Sequence, residues 1–149
     1  MKKVYVAIIL IVAVMGCGTE STFDAQVVGP SDLALDLYSG GGAVTWQFAG
    51  PLVFKVLNNG GTKPLPGIDI EFYADGELTD KAGNVVGTAN ATGSYLKTKT
   101  NDQGAAEVFA RDTFPPCDAT SDLAYTSAIH AVAKAVTATW TATVTIKQC

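Results

Sequence analysis

The stretch VTATWTATVTIKQC, residues 136–149, constrains the fold most. Thr139, Thr141, Thr143 and Thr145 alternate with Trp140, Ala142, Val144 and Ile146. Successive side chains of an extended chain point to opposite faces, so this period of two predicts a strand with one polar and one apolar face. GIDIEFYADG repeats the pattern, with Ile68, Ile70 and Phe72 against Asp69, Glu71 and Tyr73. GAAEVFARD does so more weakly, setting Ala106, Val108 and Ala110 against Glu107, Phe109 and Arg111. GPLVFKVLNN is apolar except for Lys55, as a strand covered on both sides would be. AYTSAIHAVAKAV has the alanine content of a helix. Its Thr, Ile and Val residues lower helix propensity, and it reaches the next strand without a helix stop signal, so we read it as a strand. Between these runs lie NNGGTKPLPG, ADGELTDKAGN and TNDQG, whose Asn, Asp, Gly and Pro favour turns. The expectation is an all-β antiparallel sandwich that buries Trp140, Ile70, Phe72, Val144 and Ile146 between two sheets.

The N-terminus has a different character. Lys2 and Lys3 precede an uncharged run from Val4 to Met15, followed by Gly16 and Cys17. A basic start, a dozen apolar residues and a small residue at a cut site describe a secretory signal peptide. A lasting membrane span needs ~20 apolar residues, more than this run supplies. Val14, Met15, Gly16 and Cys17 resemble the lipobox of bacterial lipoproteins, with Met15 departing from the small residue usual there. The resemblance implies that residues 1–16 are removed and that Cys17 is acylated. Each buried methylene contributes about 0.8 kcal/mol, and stable anchoring takes more than one chain, which a multiply acylated cysteine provides. Gly18 is not the Asp that retains some lipoproteins at an inner membrane. The expected location is therefore the cell envelope, at the outer membrane where the cell has one.

Assigning Cys17 to lipid leaves Cys117 and Cys149. Two thiols in an oxidising compartment usually pair, closing a loop of about 33 residues worth roughly 3–4 kcal/mol on the chain-entropy account. A free thiol nucleophile or metal ligand is the alternative, and His130, the only histidine, gives it no support. Ten basic residues face 14 acidic ones, and removing Lys2 and Lys3 moves the net charge from −4 to −6. Such a chain repels phosphate backbones, so nucleic acid is not an expected partner. About 133 residues remain after the signal peptide, one ordinary domain. The polar stretch over residues 17–30 reads as a flexible tether and residues 31–149 as the folded domain.

KPLPGIDIEFYADG, TKTNDQGAAEVFA and TATVTI together resemble a bacterial Ig-like domain of the invasin and intimin group over about residues 31–147. Pro66, Gly67, Ile70 and Phe72 match its first element. Thr100, Asp102, Gly104, Ala106 and Val108 match the second, and Ala142, Val144 and Ile146 the last. The spacing is similar to carboxypeptidase-regulatory-like and transthyretin-like sandwiches as well. The insertion KAGNVVGTANATGSYL and the loop DTFPPCDATSDLAY depart from the pattern. The resemblance implies a single Ig-like sandwich with Greek-key connections. At the matched positions, Gly104 suits a positive φ, Asp102 can accept turn amides, and Pro66 stiffens the approach to its strand.

The chain carries no GxSxG, HExxH, CxxC or phosphate-binding loop, so no catalytic residue, cofactor or metal is assigned and an enzyme is not expected. His130 is expected on the outer face. Asp75, Glu77 and Asp80 offer oxygens that can suit Ca²⁺, but their spacing is not that of an EF-hand loop and they read as a polar turn. Asp118 and Asp122 are discounted likewise, and the sequon at Asn90 carries no weight in such a protein. Two functional classes remain. One is a structural or accessory interaction module, anchored to membrane lipid through Cys17 and contacting another envelope or surface protein. The other is an adhesion or ligand-binding module for protein or carbohydrate. Tyr38, Tyr95 and Phe114 are the candidate loop aromatics for contact, the plainer reading being that they pack over the sandwich end.

Overall fold

The structure is a computed structural model that describes residues 24–38, 42–48, 50–114 and 122–147. These form eleven strands and, among the described residues, no helix. In chain order they are β1 (Ala25–Val28), β2 (Leu33–Tyr38), β3 (Val44–Gln47), β4 (Leu52–Asn58), β5 (Asp69–Ala74), β6 (Glu77–Thr79), β7 (Thr88–Asn90), β8 (Gly93–Lys99), β9 (Ala105–Phe114), β10 (Leu123–Ala133) and β11 (Val136–Lys147). The Thr-rich segment is β11, and its alternation holds: Trp140, Ala142, Val144 and Ile146 are buried while Thr139 and Thr143 face solvent. The ambiguous alanine-rich segment is β10, paired with β11 from Leu123↔Ile146 to Ala133↔Val136. The hairpin turns on Lys134 and Ala135, and Lys134 takes a positive φ of 53°. Lys134 therefore belongs to the turn, while His130 is exposed on the strand as expected.

Two sheets form. One runs β1-β4-β9-β3 with β6 also on β9, and the other runs β2-β11-β10-β5-β8-β7. Chain order β1, β4 and β9 in one sheet against β5, β10 and β11 in the other reproduces the A-B-E and C-F-G strands of an immunoglobulin sandwich. The connections that cross between sheets to make β4 and β9, and β5 and β10, neighbours are of Greek-key type. β8 and β7 extend the second sheet beyond β5. The expected all-β Ig-like sandwich is the observed fold.

The interior follows from the alternation. Phe54 of β4 meets Phe72 of β5 across the sheets, with ring centroids 5.3 Å apart. Trp140 stacks on Trp46 at 6.1 Å, and Phe48 sets its edge against both rings. The Trp140 Nε1–H donates to the Ser31 carbonyl at 2.9 Å, so the buried indole keeps its hydrogen bond. Gly104 has φ +67°, and a Cβ there would press on the Leu65 amide and the Val56 carbonyl. Thr100 is buried beside it and donates to the Leu65 carbonyl at 2.8 Å while accepting the Ile68 amide at 3.0 Å. This clamps the Pro-Gly loop before β5.

Four sequence readings change. Residues 25–28, placed in the tether, form β1, because Ala25 and Val27 pack against the core while β1 pairs with β4. The sandwich is not wholly antiparallel, since β2 runs parallel to β11 from Leu33↔Ala142 to Tyr38↔Lys147. β4 buries Leu52, Phe54 and Val56 on one face only, leaving Val53 and Leu57 half-buried around exposed Lys55. The turn acceptor is Asn101 rather than Asp102: its Oδ1 takes the Gln103 amide at 2.9 Å and the Ala105 amide at 3.1 Å.

Candidate binding face on the six-stranded sheet

Burying Ile70, Phe72 and Ala74 of β5 forces Asp69, Glu71 and Tyr73 onto the outer face of the second sheet. Antiparallel pairing then sets Tyr73 opposite Tyr95, Glu71 opposite Lys97 and Asp69 opposite Lys99 on β8. On the other side of β5, β10 places His130 opposite Tyr73 and Val132 opposite Glu71. The row through Tyr73 continues to Thr139 on β11 and, past Tyr95, to Thr88 on β7.

The rings of Tyr73 and Tyr95 lie 5.2 Å apart, tilted by 48°. The Tyr73 hydroxyl donates to Glu71 Oε2 at 2.8 Å. That bond to Glu71 holds the phenol proton above its ordinary pKa. Lys97 Nζ lies 3.4 Å from Asp69 and 3.5 Å from Glu71, and Lys99 Nζ lies 3.6 Å from Asp69. Hydrogen bonding to Asp69 raises the Lys97 pKa. These pairs are solvent-exposed, so they add little stability. Their effect is to balance charge locally. His130 Nδ1 and Thr139 Oγ1 share a hydrogen bond of 2.9 Å. Past Glu71 and Lys97, on the side away from the tyrosines, lies a groove of about 430 Å³ lined by these two residues, the Gly67–Asp69 segment, Lys99, Val132 and Lys134.

The carboxylates considered for Ca²⁺ are committed elsewhere. Asp75 accepts the Ala128 amide at 2.9 Å, and Glu77 takes the Arg111 Nε and Nη2 at 2.8 and 2.6 Å. Asp80 accepts the Asn84 side chain and the Asn84 and Ala82 amides, and these bonds, the Asn84 side chain first, lower its pKa. Asp122 pairs with Lys147 at 2.8 Å. Among the described residues no three His, Cys, Asp or Glu side chains gather as a metal site.

The sequence-predicted contact residues do not come together. Tyr38 ends β2 and is 78% exposed. Tyr95 lies within β8 rather than in a loop and is half-buried against Tyr73. Phe114 is not available for contact: it is 5% exposed and packs on Tyr125 at 5.2 Å, in a core patch with Val144 and Ile146. Its position at the inward parity of β9 explains this. Cys17, Cys117, Asp118 and Cys149 lie outside the described residues. Tyr73, Glu71 and Lys97 were not singled out as contact residues. The alternation put Tyr73 and Glu71 on the polar face, but the pairing that gathers them with Tyr95 is a matter of register.

No family model and no curated protein sequence matches the chain. A solved structure of the Yersinia pseudotuberculosis adhesin InvE is similar at a TM-score of 0.40 and 13% identity, over 81% of this chain and 31% of that one. This chain thus spans about a third of that adhesin chain. The Ig-like assignment rests on the strand order above.

Proposed function

We propose that this protein is a lipid-anchored envelope component, held at the membrane by acylated Cys17, whose Ig-like sandwich is a non-catalytic interaction module for another envelope or surface protein. The observation that carries the reading is the outer face of the second sheet. It sets tyrosines, paired charges and hydroxyls in register over five strands, on a rigid scaffold open to solvent. Rigid elements position contact groups more closely than loops do. The anchoring part rests on the run from Lys2 to Cys17.

Cys17→Ser tests the anchor. We expect an unprocessed or released protein in membrane fractionation, and a variant cleaved to wild-type size that stays in the membrane would refute the lipid anchor. Cross-linking in intact cells from a photoreactive residue at Tyr95 tests the face, with a control at Lys55 on the opposite sheet. Adducts from both positions alike, or from neither, would count against it. The alternative reading, a surface adhesion or ligand-binding module, is favoured by the Tyr73–Tyr95 pair.

A further inference from the structure

We infer that this face binds a neutral saccharide, with a sugar ring lying on Tyr73 and Tyr95 and its hydroxyls reaching Glu71 and Lys97 in the next row. The inference deepens the alternative reading, a ligand-binding module, and rests on this face being the contact surface. A sugar ring has one or two faces of C–H groups and a rim of hydroxyls that each donate and accept. The two tyrosine rings, 5.2 Å apart between centroids and tilted by 48°, with Tyr73 exposed and Tyr95 half-buried, offer apolar ring surface suited to C–H faces. The rim around it holds acceptors in Asp69 and Glu71 and donors in Lys97 and Lys99. These charges already neutralise one another, so an ion gains little there, whereas a neutral hydroxyl bridging a carboxylate and an ammonium satisfies both. Neighbouring strands stand ~4.8 Å apart, so the row from Thr88 to His130 offers polar groups at sugar-sized intervals. The Tyr73–Glu71 bond holds one of the rings before binding, which lowers the ordering cost. The groove of about 430 Å³, which begins at Glu71 and Lys97, has room for a neighbouring ring of a short oligosaccharide.

The test uses the mature protein purified from membranes in detergent. It is applied to an array of neutral hexose and N-acetylhexosamine oligosaccharides, with sulfated oligosaccharides as the ionic arm. The strongest neutral binder is then titrated by calorimetry at low and high salt. We expect neutral saccharides to be retained with little salt dependence, and Tyr95→Ala to weaken binding by about tenfold or more, as loss of a central aromatic contact does. Tyr95→Phe keeps the ring and stays within about twofold of wild type, as does Thr143→Ala at a distance on the same sheet. Unfolding midpoints of each variant show whether a loss is one of folding. Retention of no neutral saccharide, retention of sulfated ones alone with loss in salt, or wild-type binding by folded Tyr95→Ala would each overturn the inference. If saccharides fail while cross-linking from Tyr95 still captures an envelope protein, the saccharide falls and the interaction module stands.

Discussion

At the scale of single residues the interior is well satisfied, with one exception among the described residues. Trp140 and Thr100 are both buried and both hydrogen-bonded. Thr79 in β6 is 2% exposed, and its Oγ1 finds no partner among the described residues. A buried hydroxyl without a partner costs its desolvation, while a methyl of the same shape does not. Thr79→Val should therefore raise stability by about 1 kcal/mol, read as a higher urea midpoint with unchanged m. A clear loss would mean that the hydroxyl is bonded in solution. Some residues of this kind were legible in advance. Gly104 was, because a tight polar turn needs one residue at positive φ. Asn101 was not, because Asn and Asp accept turn amides equally well and only the path of the chain decides which side chain points back.

Elements were read more fully than residues. In β11, period two assigned the faces correctly for every residue from Thr139 to Ile146, because burial on one side is what selects such a pattern. The same logic gives a prediction. Trp140→Ala removes the ring stacked on Trp46 and leaves a cavity, at a cost of about 3–5 kcal/mol. Thr143→Ala, on the exposed face, should cost under about 1 kcal/mol. Urea unfolding of both variants measures the difference, and equal small losses would contradict the packing described here. β1 was missed because four residues inside a polar stretch carry too few alternations to stand out. The parallel pairing of β2 with β11 was missed because alternation fixes faces but not neighbours. The candidate site shares that limit: Tyr73 and Tyr95 are separated by an insertion, and only the β5–β8 register unites them.

For the whole molecule, the arrangement around the last strand bears on the two remaining cysteines. Leu123 pairs with Ile146, and Lys147 holds Asp122 at 2.8 Å, so the described residues nearest Cys117 and Cys149 on these strands are neighbours. Each residue spans up to ~3.6 Å, which leaves a Cys117–Cys149 bridge within reach. We expect a non-reduced digest of protein from the envelope to yield the linked peptides, and reduction to cost roughly 3–4 kcal/mol. Two free thiols would exclude the bridge. The parallel β2–β11 pair has a mechanical meaning as well. Leu33 at the start of β2 lies beside Ala142, and Tyr38 at its end lies beside Lys147. A pull on the chain entering β2 and on the chain leaving β11 therefore drags the two strands past each other along their length. The hydrogen bonds between them share that load together instead of parting one after another. A domain built this way resists force applied between those two points along the strands, and it yields far more easily to force applied across them.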